Sequence, residues 1–160
     1  MRRSVSAITL FAVIAITICT PTGRAAAAEA PPFNLEVILR DVAGGSAFGH
    51  VKFRQPVDAA QIVYLDTWVR DLSPDHSYVL RRAVDTELNG VCTSGAWLAL
   101  GRGMTPREIT TDDRGTGREA LFRSLAAVPA GMQFDIHFQV IDPGTLDPVL
   151  QSGCYRFTVR

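Results

Sequence analysis

The chain has 160 residues, and its 16 basic and 16 acidic side chains give a formal net charge of zero. This length is typical of one domain. The balanced charge argues against nucleic acid or an anionic membrane surface as partner, because both attract proteins with clustered positive charge.

The first 28 residues have the organisation of a secretory signal peptide, with cleavage predicted before Glu29. The apolar run is shorter than the roughly 20 residues that span a bilayer. We therefore expect a single exported domain over residues 29–160, secreted or in the cell envelope. An uncleaved N-terminal anchor and a lipoprotein anchored through Cys19 are the alternatives. The charged, apolar and small parts of the signal are, in order, Arg2-Arg3, Ile8–Ile18 and Ala26–Ala28.

Removal of this signal leaves two cysteines, Cys92 and Cys154. Two cysteines allow one pairing, and in an oxidising compartment they are expected to form the sole disulfide. The cysteines are 62 positions apart. The chain-entropy model gives a loop of this length about 4 kcal/mol of stabilisation.

The rest of the chain consists of short strand-like runs separated by turn signals. Their number and spacing predict an all-β, Greek-key antiparallel β-sandwich or flattened barrel of about eight strands. Only Glu119–Ala127 has a composition that is also compatible with a helix. The predicted strands are Phe33–Arg40, Phe48–Gln55, Gln61–Arg70, Ser77–Val84, Ala96–Leu100, Arg107–Thr111, Arg118–Arg123, Gln133–Asp142 and a last strand from Tyr155.

The predicted strands Gln61–Arg70 and Gln133–Asp142 alternate clearly enough to assign their faces. In Gln133–Asp142 four apolar residues point one way and Asp135, His137 and Gln139 point the other.

The run Asp112–Gly117 is a hairpin signal, since glycine adopts positive φ at little steric cost. Its aspartates, with Asp71 and Asp75, are interpreted as turn residues that accept backbone hydrogen bonds; calcium ligation is the alternative.

Six segments resemble, in order, motifs of one known family. They are Gly49–Gln55, Gln61–Leu72, Pro74–Arg81, Gly90–Gly95, Thr111–Gly115 and Ser152–Cys154. This order resembles the copper–zinc superoxide dismutases, whose fold is an eight-stranded Greek-key sandwich. The resemblance implies that Cys92 and Cys154 are that family's intrasubunit disulfide. An immunoglobulin or fibronectin type sandwich is the competing fold, with Leu72-x-Pro74-x-x-x-Tyr78 as a tyrosine corner, although this corner belongs near the second-last strand.

The metal-binding residues of that family are not matched. Val79 and Arg81 stand where the resemblance puts two copper-ligating histidines, and the run 95–111 contains no histidine for zinc. Leu150-Gln151-Ser152 replaces the substrate-guiding arginine. Only His137 can align with a copper ligand. A redox copper needs several nitrogen ligands, and Arg81 would repel a cation because it does not deprotonate.

We therefore expect a protein that is not an enzyme and carries no cofactor. It would be a binding or structural module for an unidentified protein or small molecule, without a transmembrane segment in the mature chain. The alternative is a metal-binding or residual redox protein that uses His137 with His50 or His76. Tyr64 and Trp68 share one strand face and form a possible interface if that face is outside; burial between the sheets is the other possibility.

Overall fold

The structure, a computed structural model, describes residues 33–160. The predicted signal peptide, its cleavage site and Cys19 lie outside the described residues. Every regular element of the described range is a strand, which confirms the all-β prediction. No helix in residues 33–160 has the length and apolar character needed to cross a membrane. The strands are β1 (Phe33–Asp41), β2 (Phe48–Gln55), β3 (Ile62–Arg70), β4 (Ser77–Asp85), β5 (Leu98–Ala99), β6 (Gly101–Arg102), β7 (Thr105–Pro106), β8 (Glu108–Thr110), β9 (Gly117–Ser124), β10 (Gln133–Ile141), β11 (Pro148–Ser152) and β12 (Tyr155–Thr158).

The strands form one twisted sheet that curves into a nearly closed, flattened barrel. Its order is β5-β4-β10-β11-β1-β2-β3-β9-β6-β7, with β8 also paired to β4 and β12 to β10. One half is β1-β2-β3-β9, and the other is built around β4 and β10. The connections from β3 to β4 and from β9 to β10 cross between the halves, as in Greek-key sandwiches.

Strand β11 joins the two halves and was not predicted. It pairs with β10 on one side and with β1 on the other. The predicted strands left the run between Asp142 and Tyr155 without a strand, which is wrong for Pro148–Ser152. Pro148 at the start and only two further apolar residues gave β11 too little pattern to be recognised.

The strand order differs from that of an immunoglobulin sandwich. Strand β3 continues the sheet of β1 and β2, whereas the third strand of an immunoglobulin domain lies in the second sheet. The tyrosine-corner contact is nevertheless present, since the Tyr78 hydroxyl accepts a hydrogen bond of 3.1 Å from the Ser73 N–H. That contact is thus a local feature of this bend and does not specify the immunoglobulin order.

The core lies between the inner faces of the two halves, as the alternation predicts. In β3 the side chains of Val63, Leu65, Thr67 and Val69 are buried, while Tyr64 points outward. Across the core, three phenylalanines meet edge to face. Phe53 lies 6.2 Å from Phe138 and 5.0 Å from Phe157 between ring centroids. Such contacts stabilise beyond the buried area alone.

Residues 117–124 form strand β9, so the helix considered for Glu119–Ala127 is wrong. Strand β9 pairs with β3 over eight positions, from Val69 opposite Gly117 to Ile62 opposite Ser124. This pairing buries Leu121 in the core. Long-range sheet pairing therefore overrides the local helix preference of the alanine- and leucine-containing segment.

The predicted turn at residues 112–117 is present. The Asp112 carboxylate accepts hydrogen bonds from the Thr116 and Arg114 N–H groups, and these lower its pKa. Gly115 has a φ of 72°, and a Cβ there would overlap the Leu72 carbonyl. The flanking strands then separate, because β8 pairs with β4 and β9 with β3. The segment is a tight turn between the halves and not a regular hairpin.

Candidate functional site

The candidate site is the outer face of β4 and β10, where the resemblance places metal ligands. The two strands are antiparallel, and their outward side chains form one continuous surface. Asp135 and His137 on this face are only 1% and 5% exposed, although they point away from the core. A cover must therefore lie over them. The register pairs on this face are Val79 with Ile141, Arg81 with Gln139, Ala83 with His137 and Asp85 with Asp135.

The cover is the disulfide loop, which we define as residues 86–97. Cys92 in this loop is bonded to Cys154, with 5.4 Å between their Cα atoms, as predicted. Asp85, at the end of β4, holds the loop against the sheet. Its carboxylate accepts hydrogen bonds from the N–H groups of Thr93 and Ser94 and from the Thr93 hydroxyl. One covalent bond and one carboxylate thus fix the loop against β4 and β10.

Asp135 is a second anchor for the disulfide loop. Its carboxylate accepts a 2.6 Å hydrogen bond from the Gly90 N–H and a 3.1 Å hydrogen bond from Arg156 Nε. The Arg156 hydrogen bond, followed by that from Gly90, holds the pKa of Asp135 below its ordinary value. A buried carboxylate with these partners is a structural group, because its acceptor oxygens are already occupied.

His137 is held by the same loop and by an aromatic ring. Its Nε2 lies 3.1 Å from the Ser94 carbonyl oxygen. A carbonyl only accepts hydrogen bonds, so Nε2 carries the proton, and in the neutral ring the lone pair is on Nδ1. The ring also packs on Trp97, with 4.6 Å between centroids.

Arg81 occupies the centre of this face. Its Nη2 and Nε atoms donate hydrogen bonds of 2.7 Å and 3.1 Å to Gln139 Oε1. Its guanidinium carbon lies 4.8 Å from the centroid of the Trp97 ring. Gln139 in turn donates to Gln151. Burial lowers the pKa of Arg81, but arginine remains charged in proteins.

The residues at these positions do not fit a copper centre. Of the three positions that the resemblance assigns to copper, Val79 offers no ligand atom and Arg81 brings a fixed positive charge. The third, His137, is a single imidazole whose Nε2 donates to a backbone carbonyl, so it offers one ligand atom, Nδ1, where a redox copper needs several nitrogens.

The three histidines lie in different surroundings. Strands β11 and β1 separate β10 from β2, so roughly 14 Å lies between the strands that carry His137 and His50. His50 Nε2 lies 3.7 Å from Glu36 Oε2 and is buried without a hydrogen-bond partner among the described residues. His76 Nε2 lies 2.9 Å from Asp142 Oδ2. Hydrogen bonds from the Gly144 N–H and then from His76 lower the pKa of Asp142.

No cluster of three or more histidine, cysteine, aspartate or glutamate side chains suited to a metal ion occurs within residues 33–160. Asp71 and Asp75, considered above as calcium ligands, both have positive φ, of 57° and 49°. Aspartate tolerates this left-handed conformation in turns better than most residues do. The turn interpretation of these aspartates agrees with that geometry.

Tyr64 and Trp68 both lie on the outer face of β3, so the alternative of burial between the sheets is wrong. Tyr64 is 38% exposed and lies across from Phe122 on β9, which is 37% exposed. Trp68 instead packs edge-on against Phe48 at 6.2 Å, and Arg70 lies 5.8 Å from its ring. The exposed aromatic pair is thus Tyr64 with Phe122.

No protein-family model, curated protein or solved structure matches this chain. These comparisons assign it to no family, and the resemblance to the superoxide dismutases remains a proposal.

Sequence reasoning missed the partners of Arg81 on this face. The alternation of β10 already placed Gln139 beside His137, and antiparallel pairing with β4 would have put Gln139 opposite Arg81. The position of Trp97 was not predictable in this way, because it follows a loop whose path depends on the disulfide. Local pattern therefore identifies residues within paired strands better than the residues of a covering loop.

Proposed function

We propose that this protein is an exported, non-catalytic β-sandwich domain that works by binding and does not use metal chemistry. The observation that carries the proposal is Arg81, which is hydrogen-bonded to Gln139 beside the ring of Trp97. A permanent positive charge at that place opposes a bound cation.

The proposed kinship with the superoxide dismutase sandwiches is supported by the disulfide. It joins the segment after β4 to the residue just before the last strand, as the resemblance requires. The kinship and the loss of metal are separate parts of the proposal. A protein can keep the scaffold of a family after the residues of its reaction have been replaced.

Metal content tests the loss of metal. The exported protein is purified without added metal, and its copper and zinc are measured by mass spectrometry. We expect far less than one metal ion per chain, no dismutase activity, and the same Tm with and without a chelator, since a bound ion would stabilise the fold by mass action. One copper or zinc per chain that raises the Tm would overturn the proposal.

A gain-of-site variant tests the proposed kinship. Residues 79 and 81 share the outer face of β4; His137 on β10 is the diagonal neighbour of residue 81, and residue 79 lies opposite Ile141. Val79→His with Arg81→His would place a pair of imidazoles on this face of β4, with His137 diagonal to the second, and we expect copper binding that wild type lacks. Val79→His with Lys52→His is the control, because residue 52 lies on another strand. Equal copper binding by both double variants would contradict the assignment of these positions.

Export is tested separately by mass spectrometry of the protein recovered outside the cytoplasm. The proposal predicts an N-terminus at Glu29 and no free thiol after denaturation. An N-terminus at Met1, or a lipid-modified Cys19, would replace the cleaved signal with one of the two anchors considered above.

A further inference from the structure

A cavity of about 230 Å³ opens to solvent between the two halves of the barrel. It is larger than the roughly 150 Å³ cavity that binds benzene in a well-studied protein, and on that scale it holds an apolar group of roughly nine heavy atoms. Its wall comes from the inner faces of β2, β3, β4, β9, β10 and β12 and from the segment after β9.

The wall of the cavity is almost entirely apolar. A cavity of this kind is the usual form of a site for an apolar small molecule or an apolar tail. Its aromatic and aliphatic lining includes Val84, Leu125, Val128, Met132, Phe134 and Phe157.

The polar residues of the lining are Thr86 and two arginines. Arg82 follows Arg81 on β4 and, as its immediate neighbour, faces the opposite side of the sheet, into the cavity. Arg123 on β9 lines the same cavity from the other half. Both are half-buried, and within residues 33–160 neither guanidinium has an ion pair or a hydrogen-bond partner.

The two charges act on each other. Burial lowers the pKa of Arg82, and the charge of Arg123 lowers it further. Two positive charges beside an apolar cavity, without a counterion, are unfavourable in the ligand-free protein. An anion placed between them would relieve the repulsion and give both guanidinium groups a hydrogen-bond acceptor.

We propose that the cavity binds a medium-chain alkyl carboxylate, with its tail between the halves of the barrel and its carboxylate on Arg82 and Arg123. The planar guanidinium group matches the geometry of a carboxylate and binds it through paired N–H donors. The inference rests on the proposed binding function and names the class of ligand.

The experiment is a calorimetric titration of the exported protein with hexanoate, octanoate and decanoate. Each methylene buried in the cavity should lower the Kd by about fourfold, until the tail fills it. Octan-1-ol and octylammonium have tails of the same length without the negative charge. We expect both to bind at least tenfold more weakly than octanoate.

Variants separate the head group from the tail. Arg82→Met and Arg123→Met should each raise the Kd for octanoate at least tenfold and remove the preference over octan-1-ol. Arg54→Met is the matched control, since Arg54 is exposed on the outer face of β2, and its Kd should equal that of wild type. Val128→Trp fills the cavity without changing charge and should abolish binding of the longer acids.

Several results would overturn the proposal. Octanoate that does not bind, or binds the arginine variants as well as wild type, excludes this site. The proposal also fails if residues 29–32 or a second copy already fill the cavity of the wild-type protein. NMR spectra of ligand-free protein would then show the methyl groups of Leu125 and Val128 shielded from a soluble paramagnetic probe. One metal ion per chain would contradict the proposed function, while the octanoate titration would still test the cavity. Metal-free protein that ignores octanoate defeats this inference alone.

Discussion

Two consecutive arginines on β4 lie in opposite environments. Arg81 faces the outer surface, where Gln139, Gln151 and Trp97 surround it under the disulfide loop. Arg82 faces the interior, where it lines an apolar cavity beside Arg123 without a hydrogen-bond acceptor in the described residues. The same type of side chain is thus bound within the structure on one face and lacks a protein hydrogen-bond acceptor on the other.

The difference shows where a function of this domain should be sought. The face on which the resemblance places a metal site is covered by the disulfide loop and tied by its own hydrogen bonds, with the fixed charge of Arg81 at its centre. The interior face combines apolar space with positive charge that has no counterion. Such a charge is unfavourable until a group of opposite sign binds beside it. Binding is therefore expected at the cavity and not at the covered face.

The largest expected effect comes from opening the covered face. Cys92→Ala should lower the free energy of unfolding by about 4 kcal/mol, because the denatured chain is no longer cross-linked across 62 residues. The far-ultraviolet circular dichroism spectrum should keep its β character. Denaturant unfolding measures the change, and Cys154→Ala should match it. Unfolding midpoints equal to wild type would mean that the disulfide does not hold the loop.

The second prediction concerns acid. The pKa of Asp135 is lowered in the fold, so its stabilising contribution is complete above the ordinary value of 3.8 and disappears as the pH falls through the lower folded pKa. Asp135→Asn should be less stable at neutral pH and lose less stability than wild type as the pH falls below 3.8. Asp112 and Asp142 also have lowered pKa values, so part of the acid dependence should remain.

The third prediction breaks the network on the covered face at its centre. Arg81→Met should cost about 1–3 kcal/mol, because it leaves the Gln139 carbonyl oxygen without its charged donor. Urea unfolding of the single variant is compared with that of Arg81→Met combined with Gln139→Leu. The double variant should recover part of the loss, since replacing both partners removes the unsatisfied group. No recovery would show that the hydrogen bond is not the source of the effect.

The fourth prediction has the opposite sign. Arg82→Met should raise the stability of the ligand-free protein by up to about 1 kcal/mol, because it removes a desolvated charge that faces another of the same sign. Saturating octanoate should reverse the order and make wild type the more stable protein. A loss of stability in ligand-free Arg82→Met would contradict this comparison of the two arginines.

The smallest effect is expected on the outer surface of β3. Tyr64→Ser should change stability by less than about 0.5 kcal/mol, because Tyr64 is exposed and lies outside the core. Val63→Ser, one position away on the inner face, is the control and should be strongly destabilising. If Tyr64 forms an interface between copies, analytical ultracentrifugation will show a lower association constant for Tyr64→Ser.

The sequence alone determined the all-β class, the long strands and the disulfide, because each depends on a local or exclusive signal. Period-two alternation marks a strand wherever one face is buried, and two cysteines permit a single bond. Turn residues such as Gly115 were equally readable, since few other residues adopt their conformation.

Tertiary structure alone decided which outward residues are covered and which inward residues lack partners. Alternation placed Asp135 and His137 on the polar face of β10, but their burial depends on a loop brought over them from another part of the chain. Arg82 and Arg123 are 41 positions apart and meet only when β4 and β9 face each other across the barrel. Contacts of this kind have no signature in local sequence, because they arise from the packing of distant strands.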